Sequence, residues 1–262
     1  MKSNANTVEA ASQSAVETPV REAKSVKAVT PLAKSTAATH VSRWWVRVII
    51  AHPGMQVLTF FTLLLLYIWW IAPRNSLPLS LGGLALLVTI AVTSSRLHGD
   101  GPLELGFRLD NPGRSAREVG FATLVAALLI VAPGAVASGG FRLHRIPPLS
   151  PIGYPAWALV QQYALQGFVH RRLCNAWGRP GIAAAGAAVL FGTAHYPNPV
   201  LMVSTTVGGL VWSWLYRRAP NLPTLALSHG WLGVLVMGVF PPELLHELRV
   251  GPTYWSHGVT LS

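Results

Sequence analysis

The chain has 262 residues, of which 51% are hydrophobic and only 11% charged, and its mean hydropathy is +0.42. Soluble domains carry about 25% charged residues, so an ordinary soluble protein is excluded. The net charge of +11 does not point to nucleic acid, because the basic residues sit beside apolar segments and no nucleic-acid-binding motif accompanies them.

Residues 1–43 contain no Phe, Trp or Tyr and are rich in Ala, Ser, Thr, Val and Lys. Such a composition cannot build a core and predicts a disordered cytoplasmic tail. It is too polar and too long to be a signal peptide, so the first span is expected to be an uncleaved anchor. Arg43-Trp44-Trp45 with Arg47 reads as an interfacial segment.

Apolar stretches of near-spanning length then recur, and about 20 apolar residues cross a bilayer as a helix. The expected spans cover about 55–72, 77–92, 119–137, 154–173, 181–195, 200–216 and 222–240. The charged stretch 94–118 reads as a loop or surface helix, and residues 241–262 as a short polar tail. The fold class is therefore all-α: a polytopic helical membrane protein of about seven spans. Its first two spans and a cytoplasmic loop occupy 44–118, and its membrane core 119–240. With the N-terminus cytoplasmic, sixteen of the twenty Lys and Arg residues fall on inside segments. That bias places the C-terminus outside and fits a bacterial inner membrane. The lone Cys174 leaves no partner for an intramolecular disulfide and reads as a packing residue near a helix end.

The fourth span carries amides where a bilayer favours Leu. Gln162, Gln166 and His170 recur every four residues and share a face, with Gln161 one step round. An unpaired amide in hydrocarbon costs roughly 4–8 kcal/mol, so this stripe needs polar partners or a wet cavity. Two further polar clusters lie inside spans: Phe191-Gly192-Thr193-Ala194-His195 and Ser228-His229-Gly230. Ionisable groups within spans are rare and mark function by default. The bland alternative is that each histidine simply bonds a neighbouring helix.

A doubled polar pair, then Phe-x-x-x-His about thirty residues on, then a His two spans later: this order resembles the CPBP family of intramembrane proteases. That family is also called Abi and comprises CAAX proteases and bacteriocin-processing proteins. The resemblance covers roughly residues 119–240. The family motif Glu-Glu-x-x-x-Arg reads here Gln161-Gln162-x-x-x-Gln166, followed by Gly167. Phe191 and His195 match the second motif. The third, His-x-x-x-Asn or Asp, keeps His229 but has Gly233 at its last position.

The resemblance implies a site in which Gln161 and Gln162 stand in the acid pair. Gln161 then holds the general-base position, His195 partners it in activating water, and His229 takes the oxyanion position. Gln166, Phe191 and Gly233 complete the binding surroundings. A neutral amide is not a useful base near pH 7, and no Asp or Glu lies between Glu118 and Glu243. A cation at 166 would have no carboxylate to pair with, so the three glutamines read as one coordinated neutralisation.

No cofactor is expected. A Zn ion at His195 and His229 would be short of the usual three protein ligands, and His170 lies near the inner end of its span. Two function classes follow. One is an intramembrane endopeptidase acting on membrane-anchored or prenylated proteins or peptides. The other is a non-hydrolytic scaffold, a pseudoenzyme of the hydrolase family, holding a lipid-like or transmembrane partner. A transporter ranks last, since the membrane core has no acidic ion site and no inverted repeat of broken helices. Membrane lipids are expected partners, and nucleic acid is not.

Overall fold

A computed structural model describes residues 52–108, 110–140 and 146–256. The expected tail at 1–43 and the interfacial segment after it lie outside the described residues. Helix α1 (Pro53–Leu66) runs on through a π turn (Tyr67–Ile71) and a 3-10 turn (Ala72–Arg74). It is followed by α2 (Leu77–Leu97) and α3 (Pro112–Ala137). Next, α4 (Ser150–Gln162) passes into a π-helix (Tyr163–His170) and then α5 (Arg171–Trp177). Then come α6 (Pro180–Thr193), α7 (Pro199–Arg218) and α8 (Leu222–Val239). A short α9 (Pro242–Leu245) leads into 3-10 turns at His246–Leu248 and Gly251–Trp255. No strand occurs among the described residues.

Proline punctuates this order. A proline occupies the first or second position of α1 to α4 and of α6 to α9, where its missing N–H has no helical partner to lose. Asn198 and Asn221 cap α7 and α8 by accepting from the backbone N–H of Leu201 and Thr224. Gly178, with φ +62°, stops α5 in the left-handed conformation that glycine adopts without penalty.

All seven expected stretches are helical, and among the described residues five helices are long and apolar enough to cross a membrane: Pro53–Arg74, Leu77–Leu97, α3, α7 and α8. The stretch from Ser150 to Trp177 is divided by its π-helix, and α6 has only 14 residues. The charged stretch 94–118 is not one loop. Leu97 still belongs to α2, and α3 already begins at Pro112, so the loop proper is residues 98–111. Nor is 241–262 simply a polar tail. As far as Ser256 it folds back on the bundle, burying Leu245 and Gly251.

Large apolar side chains such as Phe121, Leu129 and Val136 point outward, as they must where the solvent is lipid. The inner core is compact and centres on Phe168, Leu173, Ala187, Leu215 and Leu225. At one end of the bundle the 98–111 loop docks under α7 and α8. Leu222 N–H donates to Gly106 O (2.8 Å), and Tyr216 OH to Leu105 O (3.0 Å). The same end holds a buried ion cluster: Arg171 and Arg172 both pair with Asp100, the latter at 2.8 Å. Arg172 Nε donates to Ser94 Oγ (3.0 Å), which donates to Gln56 Oε1 (2.6 Å), tying α5 to α2 and α1.

Candidate intramembrane site

Ser150 to Trp177 follows one path roughly 40 Å long at helical rise, so Gln162 falls near its middle. Leu222–Val239 is centred near His229 and Gly230. The two midpoints coincide, which is why the amide and the imidazole meet. Gln162 Nε2 donates to His229 Nδ1 at 3.3 Å. Helix α6 spans only roughly 21 Å, so His195 just beyond it stays close to that level rather than rising to the far surface.

The Phe191 ring joins the two histidines. Its centroid lies 5.0 Å from His195 and 5.8 Å from His229, edge-on to both. Trp212 covers the other side of His229, with centroids 4.3 Å apart and planes at 31°. The indole is held there by donating to Ser228 Oγ (3.3 Å), which also accepts from Thr123 (2.7 Å).

The hydrogen bonds fix the tautomers. His195 Nδ1 lies 2.7 Å from Phe191 O, and a carbonyl can only accept. Nδ1 therefore carries the proton, with Thr205 Oγ1 a second acceptor at 3.3 Å. The remaining acceptor of His195 is Nε2. At His229 the amide of Gln162 donates to Nδ1, so Nε2–H is left as a donor. One imidazole thus offers a lone pair and the other a proton.

The π-helix sorts the glutamines onto two faces. Gln162 and Gln166 are wholly buried; Gln166 Nε2 donates to Ser213 Oγ on α7 (3.1 Å), and His170 sits edge-on to Tyr216. Gln161, Leu165 and Val169 instead line a cavity of about 320 Å³. Its walls come from α1, α2, the α4–π segment and α6, and it is apolar apart from a few groups that include Gln161 and His195. Phe191 lines it too, with His229 behind that ring. Gly233, one turn beyond His229, faces the Tyr154 ring rather than the histidines.

The family resemblance groups Gln161, Gln162, Phe191, His195 and His229; the structure puts Gln161, Phe191 and His195 on the cavity wall, and Gln162 against His229 on the other side of the Phe191 ring. Sequence reasoning misses Thr205, Trp212 and Ser213, which hold the imidazoles and the third amide in place. Trp157 and Tyr163 also line the cavity. Among the described residues no group of three or more His, Cys, Asp or Glu side chains gathers.

With this geometry in place, comparison with known proteins identifies the scaffold. Residues 148–235, about a third of the chain, match the family model described as "Type II CAAX prenyl endopeptidase Rce1-like". This segment is similar to the Rce1-like endopeptidases of the CPBP family. No curated protein and no solved structure matches the chain. The Rce1-like segment starts just before α4 and stops within α8, so it contains Gln161, His195 and His229. The opposite cavity wall, made by α1 and α2, lies outside it.

Proposed function

We propose that the protein is an integral membrane pseudoprotease that binds an apolar chain in the cavity beside Gln161 and His195 without hydrolysing it. The reading rests on one observation. Gln161 and Gln162 stand where the resemblance puts the family's acid pair, and no carboxylate lies anywhere between Glu118 and Glu243. Water attack needs a base to take a proton. The cavity instead offers an amide and an imidazole lone pair among apolar walls, a combination suited to orienting a lipid-like molecule or a membrane-anchored peptide.

Intramembrane proteolysis of membrane-anchored or prenylated proteins or peptides is the second reading. It is favoured by the complementary pair of His195 Nε2 and His229 Nε2–H, an acceptor and a donor flanking one aromatic ring. The two readings separate on two proteins, the native chain and the triple variant Gln161→Glu, Gln162→Glu, Gln166→Arg. Both are reconstituted in lipid and given a panel of lipidated and single-span peptides. We expect no turnover from the native chain and measurable cleavage from the variant. Native cleavage matching the variant's, abolished by His195→Ala, would overturn the binding reading.

We further infer that the arginine-rich end of the bundle faces the cytoplasm of a bacterial inner membrane. Arg96, Arg108, Arg114, Arg117, Arg171, Arg172, Arg179, Arg217 and Arg218 lie at or near that end. The other end has Arg74 and Arg249 among the described residues, an asymmetry of the kind that sets topology.

A further inference from the structure

The cavity wall at the end opposite the arginines is made by the segment that follows α9. Leu248, Val250 and Thr253 line the cavity there, and all three lie beyond residue 235, outside the Rce1-like segment. The contacts that hold this segment converge on the loop that carries His195. Asn198 Nδ2 donates to Leu245 O (2.9 Å) and Arg249 O (3.2 Å). Gly251 N–H donates to Tyr196 O (2.9 Å). Trp69 stacks with Tyr196 and tilts against Trp255, at 6.0 and 6.1 Å.

The backbone is under strain where it turns into the cavity. His246, Glu247 and Leu248 are successive non-glycine residues with φ of 48°, 52° and 59°. Each favours a right-handed or extended conformation, so the segment gains by leaving unless its tethers hold it. A strained strap pinned by a buried asparagine has two states available, seated and released.

We propose that residues 246–255 are a strap that gates this cavity, and that Asn198 is the latch. Seated, the strap walls one end of the cavity beside His195; released, it widens the path for an apolar chain at that end. The inference rests on the binding reading above and names the regulation of the same site. Because the latch and His195 share one loop, strap release also frees the backbone next to the imidazole.

The test uses the full chain in lipid nanodiscs with Cys174→Ser and a single reporter, Thr253→Cys. Labelling by a water-soluble maleimide reports strap release. Asn198→Ser is the informative variant: serine still caps α7 but is too short to reach the strap carbonyls. Losing two neutral hydrogen bonds predicts labelling faster on the order of tenfold, with an unchanged melting temperature for the bundle. A Ser256→Cys reporter gives the rate for an exposed thiol. If Thr253→Cys reacts as fast as that reference in the native background, or Asn198→Ser leaves its rate unchanged, the strap is no gate.

A dansylated undecanoic acid separates the two readings. Saturable probe binding without a labelling response to Asn198→Ser would remove the gate and leave the binding reading standing. A labelling response with no probe binding in either form would do the reverse.

Discussion

An amide has the shape of a carboxylate without its charge, and amides stand side by side at 161 and 162. The consequence at residue scale is that His229 faces a donor, the Gln162 amide, where a carboxylate could only accept. The imidazole is thereby held with its proton on Nε2. A double-mutant cycle over Gln162→Ala and His229→Ala, read by thermal unfolding in detergent, should give a coupling of about 1 kcal/mol. Additive effects within error would mean the 3.3 Å contact holds nothing in place. The amides and histidines are legible in the sequence because polar groups inside apolar spans stand out. Thr205, Trp212 and Ser213 are not, since hydroxyls and tryptophans are ordinary in membrane helices and only contact reveals their partners.

Between elements, α8 meets the start of α4 backbone against backbone. A Cβ added at Gly230 would lie 2.4 Å from the Pro155 backbone, whereas one at Gly233 would meet the Tyr154 ring edge at 3.2 Å. Backbone cannot yield as a ring can. Gly230→Ala should therefore lower stability by about 3 kcal/mol, the upper part of the usual overpacking range. Gly233→Ala should cost less than about 1 kcal/mol on the same scale. Equal melting temperatures for the two variants would contradict this packing. The order of helices follows directly from apolar run length and proline punctuation. Neither the π-helix at Tyr163–His170 nor the strap can be read that way. A π turn leaves no hydrophobic period of its own, and the strap's composition is that of a polar terminus.

For the whole molecule, the buried Asp100 cluster is where charge fastens the N-terminal helix pair to the family core. Burial pushes the Asp100 carboxyl up, but hydrogen bonds from Arg171 and then Arg172 outweigh it and hold the carboxyl below the usual value of 3.8. The stabilisation is thus fully present above about pH 4, the unfolded carboxylate range, and is lost as pH falls through the lower folded value. Unfolding temperatures measured from about pH 6 down to about pH 2.5, a range bracketing that titration, should decline at the acid end for the native chain. Asp100→Asn should start lower, because Arg172 loses its counter-ion in a buried position, and the gap should narrow towards the acid limit. A constant gap across that range would show that the carboxylate's charge is irrelevant. By sequence alone this aspartate belongs to a charged loop, since nothing in spacing links residue 100 to residues 171 and 172.

The strap also has a position in time. It follows every helix of the bundle in the chain, and Arg249 is made 51 residues after the Asn198 that holds it. At ribosomal speeds of about 5–20 residues per second, the cavity lacks that wall for roughly 3–10 s of each molecule's synthesis. During that interval an apolar molecule in the bilayer meets the cavity without its strap wall.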